Sequence, residues 1–318
     1  MPLFETPETR VRSQILIRDG QPLFIARSGA DPGCPVIVLH GGPGAGSHPQ
    51  QRQFFDPAIF EVILHDQRGC GRSVSPDLIT ANTTEALLQD LRFIQDQLGI
   101  DRWILFGGSW GATLALLFAQ RWPERTLGLV LRGTFLARAA DLDWFLGPSG
   151  VRRLFPDAWA DLESVIGSGP GHGLMDRLDS ALHDDCPLRV SEAARAWEQW
   201  GAVVTLGDAL RAPLSPSDPR LQKVIEQARI EIHYARHRYF LEENQILKAL
   251  PRLADLPVEL VHGRRDWVCP VAAAFDVTLA LPAARLELVE MGGHVPIQRD
   301  MIEALKGAVQ RLYRRLSG

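Results

Sequence analysis

Ser109 lies in Gly107-Gly-Ser-Trp-Gly111, a G-x-S-x-G pattern between an apolar run and a helical one. Presenting a serine side chain at the tip of a strand strains the backbone at that serine, and the close helix leaves no room for side chains beside it. A helix starting there aims N–H groups and a positive dipole end at a developing oxyanion. The alternative is a glycine-rich strand-to-helix turn without chemistry. Acyl transfer needs a second N–H donor, and His40-Gly-Gly-Pro-Gly44 follows another apolar run. The expected oxyanion donors are the amides of Trp110 and Gly42, with a plain turn as the alternative for the Gly42 loop. His40 reads as a structural hydrogen-bonding residue, and no GK[ST] follows to make the loop a phosphate cradle.

Nine histidines compete for the general base. His294 stands out because Met291-Gly-Gly-His294 follows the apolar run Leu286–Val289, where a loop at a strand's C-terminal end can reach the serine. A neutral imidazole takes the serine proton and returns it to the leaving group. Asp266, in His262-Gly-Arg-Arg-Asp266 after Val258–Val261, is the acid expected to fix its tautomer. Asp255 is the runner-up, but it precedes that strand and belongs at the other sheet edge. A surface ion pair and a solvated loop histidine are the alternatives for these two residues.

The elements that must hold these residues follow from apolar periodicity. Gln14–Ile17 and Leu23–Ala26 read as a hairpin pair. Val36–Leu39, Glu61–His65, Arg102–Phe106, Leu127–Leu131, Val258–Val261 and Arg285–Val289 read as short strands, several of them apolar throughout as a parallel sheet requires. Leu87, Leu88, Leu91, Ile94 and Leu98 share one face of a helix over about 84–98, stopped by Gly99. Gly107–Gly111 reads as a turn, Ala112–Arg121 as a helix, and a last helix runs from about Pro296 to Leu316. Between Phe135 and Leu250 the chain is helical and rich in Trp and Arg, broken by Gly167–Gly173 and Ala212–Pro219. The reading is one α/β core interrupted by a helical insertion.

Bulk properties agree with an ordinary soluble globular protein. The chain has 318 residues, 46% hydrophobic and 23% charged, with a formal net charge of −4. That charge is too small to call for nucleic acid or a polybasic membrane surface. The cysteines Cys34, Cys70, Cys186 and Cys269 are scattered without metal-ligand spacing. The opening MPLFETPETRVRSQ lacks the basic end and apolar run of a signal peptide, and no apolar stretch spans a membrane. The expected location is the cytoplasm.

With HGGPG at 40–44, DQRGCGRS at 66–73, GGSWGATLAL at 107–116, Arg132-Gly133, HGRRD at 262–266 and GGH at 292–294, the chain resembles the prolyl aminopeptidase (proline iminopeptidase) family. The first three motifs together are specific, and the set covers almost the whole hydrolase core. The resemblance implies an α/β-hydrolase fold whose serine, acid and histidine follow in the order Ser109, Asp266, His294. It also implies release of an N-terminal residue, typically proline, from short peptides without metal or cofactor. It divides the chain into a catalytic core, 1–135 and 251–318, and a helical cap, 136–250, that recognises substrate.

Binding a free ammonium or iminium group calls for carboxylates in a partly buried pocket. The resemblance assigns this to glutamates of the cap. Ala228-Arg-Ile-Glu231 matches one family segment and makes Glu231 the first candidate, a solvated helix face being its alternative. The other segment departs from the pattern, because Ala196-Trp-Glu-Gln-Trp-Gly201 has glycine where the family has glutamate. Glu198 sits three residues earlier, about 4.5 Å along a helix axis, on roughly the same face. Either it supplies the charge, or specificity has moved. Ala235 replaces a family aromatic, and Phe135 matches the residue that walls the proline ring, with a core role as its alternative. A small-molecule amidase or esterase of the same fold is the second functional reading. A ligand-binding receptor on this fold is the third, and the complete triad argues against it.

Overall fold

Seven consecutive residues, Phe60–Asp66, are buried, as a strand covered by helices on both faces must be. The computed structural model describes residues 11–75, 77–167, 173–207 and 213–318. Among them, eight strands form one sheet: β1 Arg12–Arg18, β2 Gln21–Gly29, β3 Cys34–Leu39, β4 Phe60–Asp66, β5 Trp103–Gly108, β6 Thr126–Arg132, β7 Val258–Gly263 and β8 Arg285–Val289. Their spatial order is β1-β2-β4-β3-β5-β6-β7-β8. The β1/β2 and β2/β4 pairs are antiparallel, and every other pair is parallel.

The chain steps from β3 outward to β4, then crosses back to lay β5 on the other side of β3. That reversal opens a crevice at the C-terminal ends of β3 and β5, the place where open α/β sheets bind ligands.

The described helices are α1 Thr84–Gln97, α2 Trp110–Arg121, α3 Ala139–Leu146, α4 Pro156–Ile166, α5 Leu174–Leu182, α6 Pro187–Leu206, α7 Leu221–Arg236, α8 Gln245–Ala249, α9 Ala272–Ala280 and α10 Arg299–Ser317. The Thr83 side chain caps α1 by accepting from the Ala86 amide at 3.2 Å. Its leucine and isoleucine face is buried, and Gly99 ends it with φ +64°. Alternation along β3 sorts the two cores. Ile37 and Leu39 pack with α1 and α2, whereas Val36 and Val38 pack with Met301, Leu305 and Val309 of α10.

The segment between β6 and β7 carries α3 to α8. Trp159, Trp197, Trp200, Val204, Ile225 and Ile232 form a third apolar cluster there. Ile230 and Tyr234 of α7 instead join the core below, as do Ile246 and Leu250. Gln120 Nε2 donates to the Ile246 carbonyl at 2.8 Å, so the last residues of this segment are tied to α2.

Three elements differ from the sequence reading. Gly107 and Gly108 complete β5 and α2 starts at Trp110, so the turn expected over 107–111 is concentrated at Ser109. Helix α9, Ala-rich and without a polar face, gave no periodic signal. Helix α10 begins at Arg299, three residues after Pro296, because Gln298 is extended at φ −77°, ψ 144°. Residues 168–172, within the expected glycine-rich break, and Ala212 of the other break lie outside the described residues. Among the described residues, no helix is long and apolar enough to cross a membrane.

Candidate active site

Ser109 has φ 57° and ψ −124°, a conformation that costs an L-residue energy and persists only where its surroundings enforce it. They do so through close packing. A Cβ at Gly111 would lie 2.0 Å from the Leu39 carbonyl oxygen, and one at Gly107 would lie 2.2 Å from that of Gly111. Helix α2 is thereby pressed onto the end of β3. The Ser109 amide donates to the Arg132 carbonyl at 2.9 Å, which ties the turn to the end of β6.

Asp266 and His294 occupy the loops after β7 and β8. His294 Nδ1 lies 2.8 Å from Asp266 Oδ2 and 2.9 Å from Oδ1. Oδ1 also accepts from the amides of Val268 at 3.0 Å and Cys269 at 2.8 Å. Burial raises the Asp266 pKa, but the charge and hydrogen bond of His294, with smaller help from His262 and the Cys269 amide, outweigh it. The net pKa stays below the usual carboxylate value. Because Nδ1 faces the acid, Nε2 is the nitrogen left for a serine proton.

The end of β6 touches both the Ser109 turn and the Asp266–His294 pair. Directly after Arg132, Gly133 lies so close that a Cβ would stand 3.2 Å from His294 Nδ1 and 3.1 Å from Asp266 Oδ2. The Arg132 guanidinium donates to the His294 carbonyl. Ser109 Oγ forms no hydrogen bond with His294; it lies against the Cys269 thiol, whose pKa burial pushes well up. Catalytic hydrogen bonds are often open before substrate binds.

The amides of Gly42 and Trp110 have no hydrogen-bond partner among the described residues. Trp110 is the first residue of α2, where a helix leaves its N–H groups unused. A Cβ on Gly41 would stand 3.2 Å from that of Ser109, so the loop after β3 crosses directly over the serine.

The DQRG run proves to be scaffolding. Gln67 Oε1 accepts from Trp110 Nε1 at 3.1 Å, while its Nε2 donates to the His40 carbonyl at 3.0 Å. Its amide donates to His40 Nε2 at 3.0 Å. One side chain thus fixes the Gly42 loop relative to α2. Burial holds the His40 pKa down at about 4, against smaller raising effects of the Gly41 carbonyl and Asp66. His40 is therefore a neutral structural residue. Arg68 pairs with Asp90 at 2.6 Å in the interior, and Asp66 binds Arg72 and Ser47.

Glu231 lies on α7, packed over the Gly42 loop: a Cβ on Gly44 would stand 3.3 Å from Ile230 Cβ. Its carboxylate accepts from Trp197 Nε1 at 2.7 Å and Gln227 Nε2 at 2.8 Å. Among the described residues it has no basic partner. Burial raises its pKa, the two hydrogen bonds offset this only in part, and the Glu198 charge adds to it. Glu198, on α6, acts on both Glu231 and Arg220. A Cβ on Gly201 would meet nothing within 4 Å, so the side chain absent there leaves open space. Phe135 packs edge-on to Tyr239, with ring centroids 5.0 Å apart. Ala235 faces away, lining a surface cavity of about 410 Å³ with Met175 and His237.

Arg132, Gln67, His262, Cys269 and Tyr239 were not among the expected site residues. His262 Nδ1 accepts from the Thr134 amide at 3.3 Å, so Nε2 carries the proton and donates to the Cys269 carbonyl at 2.9 Å. It braces the Asp266 loop against the end of β6. The donor atoms of Asp266, Cys269 and His294 lie within 4.8 Å of one another, the one such group among the described residues. An ion there would displace the carboxylate–imidazole contact.

A family model described as the α/β hydrolase fold matches residues 35–160. A proline iminopeptidase of Xylella fastidiosa (strain Temecula1 / ATCC 700964) is 40% identical over 293 residues, 92% of this chain and 93% of that protein. A proline iminopeptidase of Arabidopsis thaliana is 36% identical over 301 residues, covering 92% of this chain and 77% of that one. Among solved structures, a proline iminopeptidase-related protein from Thermus thermophilus superposes with TM-score 0.58 at 22% identity, over 96% of this chain and 98% of that one.

Proposed function

Because the chain belongs to the proline iminopeptidase family of α/β-hydrolases, we propose that it is a serine aminopeptidase releasing an N-terminal residue, preferably proline, from short peptides. Ser109 Oγ attacks the carbonyl carbon of that residue as His294 Nε2 takes its proton. The tetrahedral oxygen is held by the amides of Gly42 and Trp110, and Asp266 steadies the imidazolium. The C–N bond then breaks, His294 returns the proton to the leaving amine, and water hydrolyses the Ser109 ester. Residues 136–250 act as the cap that selects substrate. Phe135 walls the ring of the N-terminal residue. Glu198 supplies part of the negative field around Glu231. Four free cysteines suit a reducing compartment, and we assign the enzyme to the cytoplasm.

One observation carries the free-amine part of this reading: Glu231 is a partly buried carboxylate with two neutral donors and no cation among the described residues. Desolvating a charge without a partner is unfavourable, and a protonated substrate amine supplies the missing one. The test compares a prolyl anilide with its N-acetyl form on the wild type and on Glu231→Gln. The wild type should strongly prefer the free amine, and the variant should lose about a hundredfold in kcat/KM on it. Equal rates on the two substrates would overturn the reading.

The open space at Gly201 favours a second reading, an amidase or esterase accepting bulkier acyl groups. Vigorous cleavage of p-nitrophenyl esters without activity on prolyl substrates would select it.

A further inference from the structure

Directly after α7 the chain makes a turn that L-residues avoid. Arg238, Tyr239 and Phe240 have φ values of 49°, 56° and 54°, and none is a glycine or asparagine. Its neighbours impose it. The Phe240 ring stacks on His237 at 4.9 Å and 7°, and meets Tyr234 edge-on at 5.4 Å. The Phe240 amide donates to the His237 carbonyl at 2.8 Å, and Thr84 Oγ1 donates to the Tyr239 carbonyl. Strain of this kind persists only where packing enforces it, and such positions cluster at ligand sites.

Its effect is to turn Tyr239 inward. The ring lies 5.2 Å from that of Trp110 and 5.0 Å from that of Phe135, between the residue after the nucleophile and the wall of the pocket. Among the described residues the hydroxyl has no hydrogen-bond partner. Burial raises its pKa, and the Glu231 carboxylate and the Cys269 thiol, both within electrostatic reach, raise it further. The phenol is therefore neutral, and Cys269 in turn lies against Ser109. The ring thus stands between Trp110, which follows Ser109, and Phe135, with the Glu231 carboxylate near enough to act on its hydroxyl electrostatically.

We propose that Tyr239 is a specificity-determining residue whose hydroxyl accepts one N–H of the substrate's cationic amine while Glu231 accepts another. This rests on the aminopeptidase reading above. A protonated proline nitrogen carries two N–H bonds, and the pair Tyr239 and Glu231 offers one acceptor for each. The phenol's own proton is left to donate to Glu231 or to water.

The test is Tyr239→Phe, which keeps the ring and its packing. Kinetics are measured on a prolyl anilide and on p-nitrophenyl acetate, which has no amine. Losing one hydrogen bond to a charged group should lower kcat/KM for the anilide roughly 10- to 100-fold, chiefly through KM. The acetate should change less than twofold, with Tm unaltered. An anilide rate within twofold of wild type would overturn the assignment, as would equal losses on both substrates, since these mean a scaffolding role. If the wild type itself fails on the anilide, the aminopeptidase reading falls and the amine contact with it. Wild-type turnover beside an indifferent variant rejects Tyr239 alone.

Discussion

Replacing Asp266 by Asn tests the geometry around the base more sharply than deletion does. Oδ1 of Asp266 accepts two backbone amides, from Val268 at 3.0 Å and Cys269 at 2.8 Å. In Asp266→Asn the amide oxygen must keep that place. Turning the group over would set its NH2 against two N–H donors, at about 1–3 kcal/mol for each group left unsatisfied. The NH2 therefore takes the Oδ2 position, 2.8 Å from His294 Nδ1. Facing a donor, the imidazole moves its proton to Nε2 and can no longer receive the Ser109 proton. The charge that stabilises the imidazolium is lost as well. In a Ser-His-Asp protease this change lowers kcat about 10⁴-fold. Losing the right tautomer should lower kcat about 10³- to 10⁴-fold here, equivalent to ~4–5.5 kcal/mol of barrier. The substitution is nearly isosteric, so Tm should move by only a few degrees. The assay is steady-state hydrolysis of a prolyl anilide by matched, folded preparations. Activity within tenfold of wild type would refute this by showing that His294 does not depend on Asp266 for its tautomer.

Two further outcomes follow from buried or strained groups. His40 is 2% exposed, and burial lowers its pKa from 6.5 to about 4. Its stabilising contribution is fully present above pH 6.5 and is lost as pH falls to 4, because only the unfolded chain takes up the proton there. The loss is on the order of 3 kcal/mol at most; urea midpoints should fall more steeply over that window in wild type than in His40→Gln, and parallel curves would refute it. Arg238 is exposed at φ 49°, so Arg238→Gly should raise stability by ~0.5–1 kcal/mol; a lower Tm would mean that the turn is not strained.

Much of the candidate site's geometry was legible because its signals are local. Ser109, His294 and Asp266 each follow a short apolar run, and strand ends in a parallel sheet face one edge, so position in sequence gives position in space. The Gly42 loop was readable for the same reason. Gln67 was visible only as part of a motif, since its partners His40 and Trp110 lie 27 and 43 residues away and nothing in the spacing joins them. Arg132 was visible only within the Arg132-Gly133 motif, because an arginine ending a buried strand carries no sign that it reaches the His294 carbonyl. Tyr239 was illegible for a sharper reason. Left-handed turns are recognised by glycine or asparagine, and this one uses Arg, Tyr and Phe, enforced by packing across α1 and α7. The insertion's helices could be expected from composition, but its contacts with α2 through Ile246 and Leu250 depend on tertiary packing that periodicity does not encode.

Whether Ser109 is the nucleophile is read in one step by a fluorophosphonate probe. Peptide mapping should find a single adduct per chain on Ser109, formed in proportion to the loss of anilide hydrolysis and absent in Ser109→Ala. Full activity after labelling, or an adduct on another residue accompanying inactivation, would contradict it.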